Sequence, residues 1–137
     1  MKHRLLLVED NPMNLLMLRD WLESEDIDTE TAQTLAEARD ALQRFTPALV
    51  LLDVRLGAED GLDLARWIRA TPEFRRLPVI AVTAHALRHE QDEILRQGCN
   101  SVVSKPIDFR VLRRQLDLWL SVGRGPATHS EEVAAGE

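Results

Sequence analysis

The sequence predicts an α/β domain built on a doubly wound, five-stranded parallel sheet with five helices. Three observations carry that expectation. Short Leu-rich and β-branched runs, Leu5-Leu6-Leu7-Val8, Leu49-Val50-Leu51-Leu52, Val79-Ile80-Ala81-Val82 and Ser101-Val102-Val103-Ser104, are bounded by breakers and read as strands buried on both faces. Helical patterns separate the runs at a spacing of about 20 to 30 residues, as in repeated βα units. One further run, Ile27 to Thr31, alternates with Asp28 and Glu30 and so suits a sheet edge. Together they fit the strand order 2-1-3-4-5, in which the chain reverses direction between strands one and three.

Each helix has its own local signals. Asn11-Pro12 after the first strand reads as an N-cap followed by Pro at the first helical position, opening a helix to about Glu25. Thr34 and Glu37 have capping-box spacing before a helix with Leu35, Ala38, Leu42 and Phe45 on one face, broken by Pro47. A third helix carries Leu62, Ala65 and Ile68 and stops before Pro72, and Pro78 leads into the fourth strand. The fourth helix spans about Leu87 to Gln97, with Gly98 as its stop. The fifth places Phe109, Leu112, Leu116, Trp119 and Leu120 on one stripe. Residues 1–122 read as one domain, and 123–137, small and polar, as a disordered tail.

Composition narrows the function. The 137 residues are 45% hydrophobic and 29% charged, an ordinary globular balance, with a net charge of −6. An acidic chain is a poor binder of nucleic acid or anionic membranes, which call for a basic face. No apolar run approaches the roughly 20 residues of a membrane span, and the charged start before the first strand leaves no room for a signal peptide. The one cysteine, Cys99, has no partner for an internal disulfide, so the expected compartment is the cytoplasm and its expected role a buried core residue.

The chemistry lies at the strand ends. Glu9-Asp10, Asp53, Thr83 and Lys105-Pro106 each close a different apolar run, and in an open parallel sheet those ends share one edge, where ligands bind. Any one of these residues alone would be an ordinary turn or cap. Three converging carboxylates repel one another, and a hard divalent cation such as magnesium resolves the conflict with oxygen ligands. A carboxylate can then attack phosphorus, with the lysine and the metal neutralising the transferred group. Thr83 is able to donate to a phosphoryl oxygen.

These residues carry a resemblance. Val8-Glu9-Asp10-Asn11-Pro12-Met13-Asn14, Leu51-Leu52-Asp53 with Asp60-Gly61, Val82-Thr83-Ala84 and Ser104-Lys105-Pro106 together resemble the receiver domain of two-component response regulators, a flavodoxin-like fold, over about residues 4 to 121. The resemblance implies that Asp53 accepts a phosphoryl group from a histidine kinase or histidine phosphotransferase. It implies Mg2+ held by Asp10, Asp53 and the backbone carbonyl of Arg55, with Glu9 acting through water and Thr83 and Lys105 on the phosphoryl group. It implies a cis Lys105-Pro106 bond. Two departures stand out: Val102 occupies the position of the family's switch aromatic, and Gly57 replaces the usual proline four residues after the acceptor, which leaves Leu56-Gly57-Ala58-Glu59 a freer loop. Arg55 and His85 hold the positions that in this family tune phosphoryl lifetime. His85 and His89, four apart, lack a third ligand for a metal and read as exposed helix residues.

The expected whole is a stand-alone receiver that catalyses only its own phosphorylation and dephosphorylation and signals by protein contacts. The alternative is a degenerate receiver that binds partners without being phosphorylated. A phosphatase like the haloacid dehalogenases needs a second aspartate where Arg55 stands, and a dinucleotide fold needs glycines where Glu9 to Pro12 stand. The first helix, with Met13, Leu15, Leu16, Met17, Leu18, Trp21 and Leu22, is apolar nearly all round, which suits a docking face for the phosphodonor as well as packing. Val111 and Leu118, off the main stripe of the fifth helix, point to a surface for an unidentified output protein or for homodimerisation.

Overall fold

A computed structural model describes residues 3–84 and 87–124. Its elements run β1 (His3–Val8), α1 (Pro12–Ser24), β2 (Ile27–Ala32), α2 (Leu35–Arg44), β3 (Leu49–Asp53), β4 (Arg55–Leu56), β5 (Glu59–Asp60), α3 (Leu62–Ala70), a 3-10 turn (Pro72–Phe74), β6 (Val79–Thr83), α4 (Arg88–Arg96), β7 (Ser101–Ser104) and α5 (Phe109–Arg124). Five strands form one sheet in the order β2-β1-β3-β6-β7, every pairing parallel. This is the 2-1-3-4-5 order expected of the five predicted strands.

Alternating side chains along each central strand feed two cores, which is why those runs lack a polar face. Leu6, Val8, Val50, Leu52, Val79 and Ala81 pack under α2 and α3 with Ile94 of α4. Leu5, Leu7, Leu49, Leu51, Ile80 and Val82 pack under α1 and α5. Each Leu, Val or Ile among them, fully buried, contributes about 1.5–3 kcal/mol. Strand β2 lies at the edge, as its charged residues require, and Arg4 pairs with Glu30 across it at 3.1 Å.

The helix starts follow local chemistry. Asn11 Oδ1 accepts the N–H groups of Met13 (2.9 Å) and Asn14 (3.1 Å), and Pro12 opens α1. Thr34 Oγ1 accepts from Glu37 N at 3.1 Å, but the reciprocal half of the expected box is displaced: Glu37 Oε1 takes the N–H of Gln33 at 2.8 Å. Phe45 is not on the α2 face but just past its end in extended backbone, with the Arg4 guanidinium 4.2 Å from its ring centre. Helix α4 is a residue shorter at each end than expected, with Leu87 and Gln97 as its caps, and Gly98 follows at φ 121°.

A further expectation is corrected. Residues 56–59 are not a freer loop: β4 and β5 pair antiparallel, Arg55 with Asp60 and Leu56 with Glu59. Gly57 sits at φ 59° and Ala58 at ordinary negative φ, the sign pattern of a type II′ turn, which calls for glycine first. Leu56 is buried in the core beneath, so the ribbon is anchored although no proline stiffens it.

Candidate functional site

Register brings the site together. Val8 pairs with Leu52, Asp53 with Val82 and Thr83 with Ser104, so the residues that end β1, β3, β6 and β7 reach one sheet edge. Glu9, Asp10 and Asp53 each offer a carboxylate oxygen within 4.8 Å of the others, the one such acidic or metal-ligating group among the described residues. Lys105 Nζ donates to Asp53 Oδ2 at 3.0 Å and lies 4.0 Å from Glu9 Oε1. The bond between Lys105 and Pro106 is cis, as expected, and Lys105 N–H donates to Thr83 O at 2.9 Å.

Asp53 is 5% exposed and its second oxygen, Oδ1, accepts the Arg55 N–H at 3.0 Å. Glu9 is 2% exposed; burial pushes its carboxyl up to about 7, the Asn11 N–H at 3.0 Å pulls it part of the way back, and the Asp53 charge raises it again. Three carboxylates converge here on the single Lys105 ammonium, so acidic groups outnumber the basic one beside them. Three hard oxygen donors with that imbalance fit a divalent cation of the magnesium type. Thr83 is buried at the end of the strand beside Asp53.

Of the remaining predicted residues, Arg55 opens β4 with its side chain exposed, and His89 is exposed on α4, but His85 lies outside the described residues. Val102 is half-buried against the α2–α3 core. Cys99 is buried and its thiol is pushed up to about 12 by desolvation, consistent with a core role. On α1, Leu18 and Leu22 face the core, while Met13 (74%), Leu16 (50%) and Met17 (51%) are exposed. A groove of about 340 Å³ joins that surface to the site, lined by Glu9, Asn14, Met17, Lys105, Ile107 and Phe109 among others. Val111 and Leu118 are half-buried on α5, while α4 and the residue before it expose Leu95 and Leu87.

Sequence reasoning missed the roles of Glu59 and Arg69, and read Gly57 only as the loss of a proline. Gly57 and Glu59 shape the hairpin beside Asp10, and a Cβ on Gly57 would sit 3.5 Å from Asp10 Oδ2. A Gly followed two residues later by an acid was the only signal available. Arg69 donates to the carbonyls of Gly98, Phe74, Arg75 and Leu77 and to Asn100 Oδ1, tying α3 to the loops before β6 and β7.

The model of the response regulator receiver domain family matches residues 5–117. The chain belongs to that family. This receiver domain is 36% identical over 107 residues to the polar-differentiation response regulator DivK of Brucella ovis, covering 78% of this chain and 87% of that protein. Its fold is similar to the signal receiver domain of a histidine kinase from Syntrophus aciditrophicus, with TM-score 0.81, 30% identity, and 90% and 95% of the two chains covered. It is also similar to the receiver domain of a sensor histidine kinase from Pseudomonas aeruginosa, with TM-score 0.80, 33% identity, and 88% and 99% covered. That structure has a magnesium ion coordinated in its active-site cleft. The receiver is thus a module of two-component signalling with a flavodoxin-like sheet, and no described helix is long and apolar enough to cross a membrane.

Proposed function

We propose that this receiver accepts a phosphoryl group on Asp53, with magnesium, from a phosphorylated histidine of a kinase or phosphotransferase. The observation that carries the reading is a nearly buried Asp53 held between the Lys105 ammonium and the Arg55 N–H, with two further carboxylates alongside. Asp10, Asp53 and the Arg55 carbonyl would hold Mg2+, and Glu9 would act through water. When bound, the cation supplies positive charge for both the carboxylates and the incoming phosphoryl oxygens.

The chain's own groups do the rest. The Arg55 N–H orients the Asp53 carboxylate, leaving its other oxygen to Lys105. As the P–O bond to Asp53 forms, the P–N bond of the phosphohistidine breaks and its electron pair stays with the imidazole. Lys105 then faces phosphoryl oxygens in place of a bare carboxylate, and Thr83, one strand over, donates to one of them. Val102 has no ring to rotate, so the phosphorylated state would be reported by Thr83 and Lys105 without the usual aromatic.

The phosphodonor would dock on the exposed Met13, Leu16 and Met17 of α1, an adaptable apolar surface continuous with the groove into the site. The protein would work in the cytoplasm, passing its signal to an output protein or a second copy through contacts alone, with no turnover of a free substrate. Arg55 and His85 would tune phosphoryl lifetime; substituting both with alanine should change the decay rate of the phosphoform, and an unchanged rate removes that role.

The test is intact mass after incubation with magnesium and acetyl phosphate, then with a phosphohistidine donor. A single phosphoryl gain that needs both magnesium and Asp53, lost in Asp53→Ala, is expected. No gain from either donor would turn the reading to a receiver that binds partners without phosphorylation.

A further inference from the structure

We infer that Glu59 is a positioning residue for the cation site, clamping the β4–β5 hairpin onto the start of α2. The inference rests on the magnesium-dependent reading above. Helix α2 begins with backbone N–H groups that have no partner in their own helix. Thr34 takes one of them, that of Glu37, while the N–H of Leu35 at the first helical position is left over. Glu59 Oε1 accepts it at 3.0 Å from 24 residues away, in a part-buried bond. A carboxylate there also meets the positive end of the helix dipole.

What makes this more than a helix cap is the element that carries Glu59. The hairpin has two residue pairs, Arg55 with Asp60 and Leu56 with Glu59, and a ribbon that short does not hold itself together. Its base is pinned: Gly61 N donates to Val54 O at 2.7 Å, and Gly61 fits so closely that a Cβ would meet Asp53 O at 2.3 Å. Leu56 is sunk in the core. The far arm has Glu59, and Glu59 reaches α2.

The turn between the two arms lies over the site, with the Gly57 Cβ direction 3.5 Å from Asp10 Oδ2. The first arm begins with Arg55, whose N–H holds Asp53 and whose carbonyl is the proposed backbone ligand. Glu59 therefore fixes the wall of the site opposite Lys105 without touching the cation. Releasing it leaves the hairpin to be ordered each time a cation binds, and that ordering weakens the apparent affinity.

The test is a magnesium titration of the full chain, followed by tryptophan fluorescence or calorimetry, for wild type, Glu59→Ala and Glu59→Gln. Exchange of the Leu35 amide is measured without metal. Loss of an outer partner should raise the Mg2+ Kd about 10-fold in Glu59→Ala, with faster Leu35 exchange. The maximal rate of phosphorylation from acetyl phosphate at saturating magnesium should not change. Glu59→Gln keeps an acceptor but not the charge, so a clamp predicts that it restores most of the affinity. Equal weakening in Gln and Ala would mean that Glu59 acts by long-range charge and would overturn the clamp. So would wild-type affinity in Glu59→Ala. A wild-type chain that binds no magnesium would instead remove the metal-dependent reading itself, and the clamp with it.

Discussion

Replacing Glu9 by glutamine should stabilise the metal-free receiver at alkaline pH and weaken its grip on magnesium. The carboxyl of Glu9 is raised from 4.5 to about 7, chiefly because burial disfavours its charged form. Between those two values the folded chain keeps a proton that the unfolded chain gives up. Stability therefore falls as pH rises from 4.5 to 7, and at 1.36 kcal/mol per pH unit the full loss is about 3 kcal/mol. Below 4.5 both states are protonated and no difference remains. Glutamine is neutral at every pH, and its side-chain oxygen is able to keep the Asn11 N–H that Glu9 Oε2 now accepts. Urea denaturation of wild type and Glu9→Gln with chelator, at pH 5 and pH 8, should show a gain of about 1–3 kcal/mol for the variant at pH 8 and far less at pH 5. With saturating magnesium the order should reverse, because the cation displaces the proton from Glu9 and has no equivalent charge to meet in glutamine. A variant equally displaced from wild type at both pH values would refute the burial-driven proton.

Three other outcomes follow from the geometry. Lys105→Met removes the ammonium 3.0 Å from Asp53 and should cut phosphoryl transfer at least about 100-fold while leaving the fold intact, as read by intact mass over time and by circular dichroism. Arg69→Met leaves four backbone carbonyls without their shared donor and should cost about 2–4 kcal/mol in urea denaturation, with phosphorylation by acetyl phosphate at low denaturant unchanged. Met17→Asp, on the exposed face of α1, should slow transfer from a phosphohistidine protein about 10-fold or more while acetyl phosphate works as before; equal loss with both donors would argue against a docking role.

Much of this molecule can be read without coordinates because its informative features are local. Leu5–Val8 and Leu49–Leu52 are apolar on both faces, so they had to be central strands, and the charged Ile27–Thr31 had to be an edge. Once those strands are parallel, their carboxyl ends share one edge, and the convergence of Glu9, Asp10, Asp53, Thr83 and Lys105 follows without any knowledge of side-chain positions. Asn11-Pro12 and Gly98 likewise act through their own backbone neighbours.

The features decided only in three dimensions are those in which a group finds its partner far along the chain. Two-residue strands such as β4 and β5 carry no periodicity, so the hairpin was invisible, and the absence of a proline at Gly57 suggested looseness where a tight turn stands. Glu59 looks like any surface acid until its carboxylate meets Leu35, and Arg69 like any helix arginine until five acceptors surround it. Helix α1 shows apolar residues nearly all round, and only packing sorts Leu18 and Leu22 inward from Met13 and Met17 outward. The proton on Glu9 is of the same kind: its residue type says acid, but the burial that makes it weak belongs to the sheet edge and its neighbours, which exist only when the strands have come together.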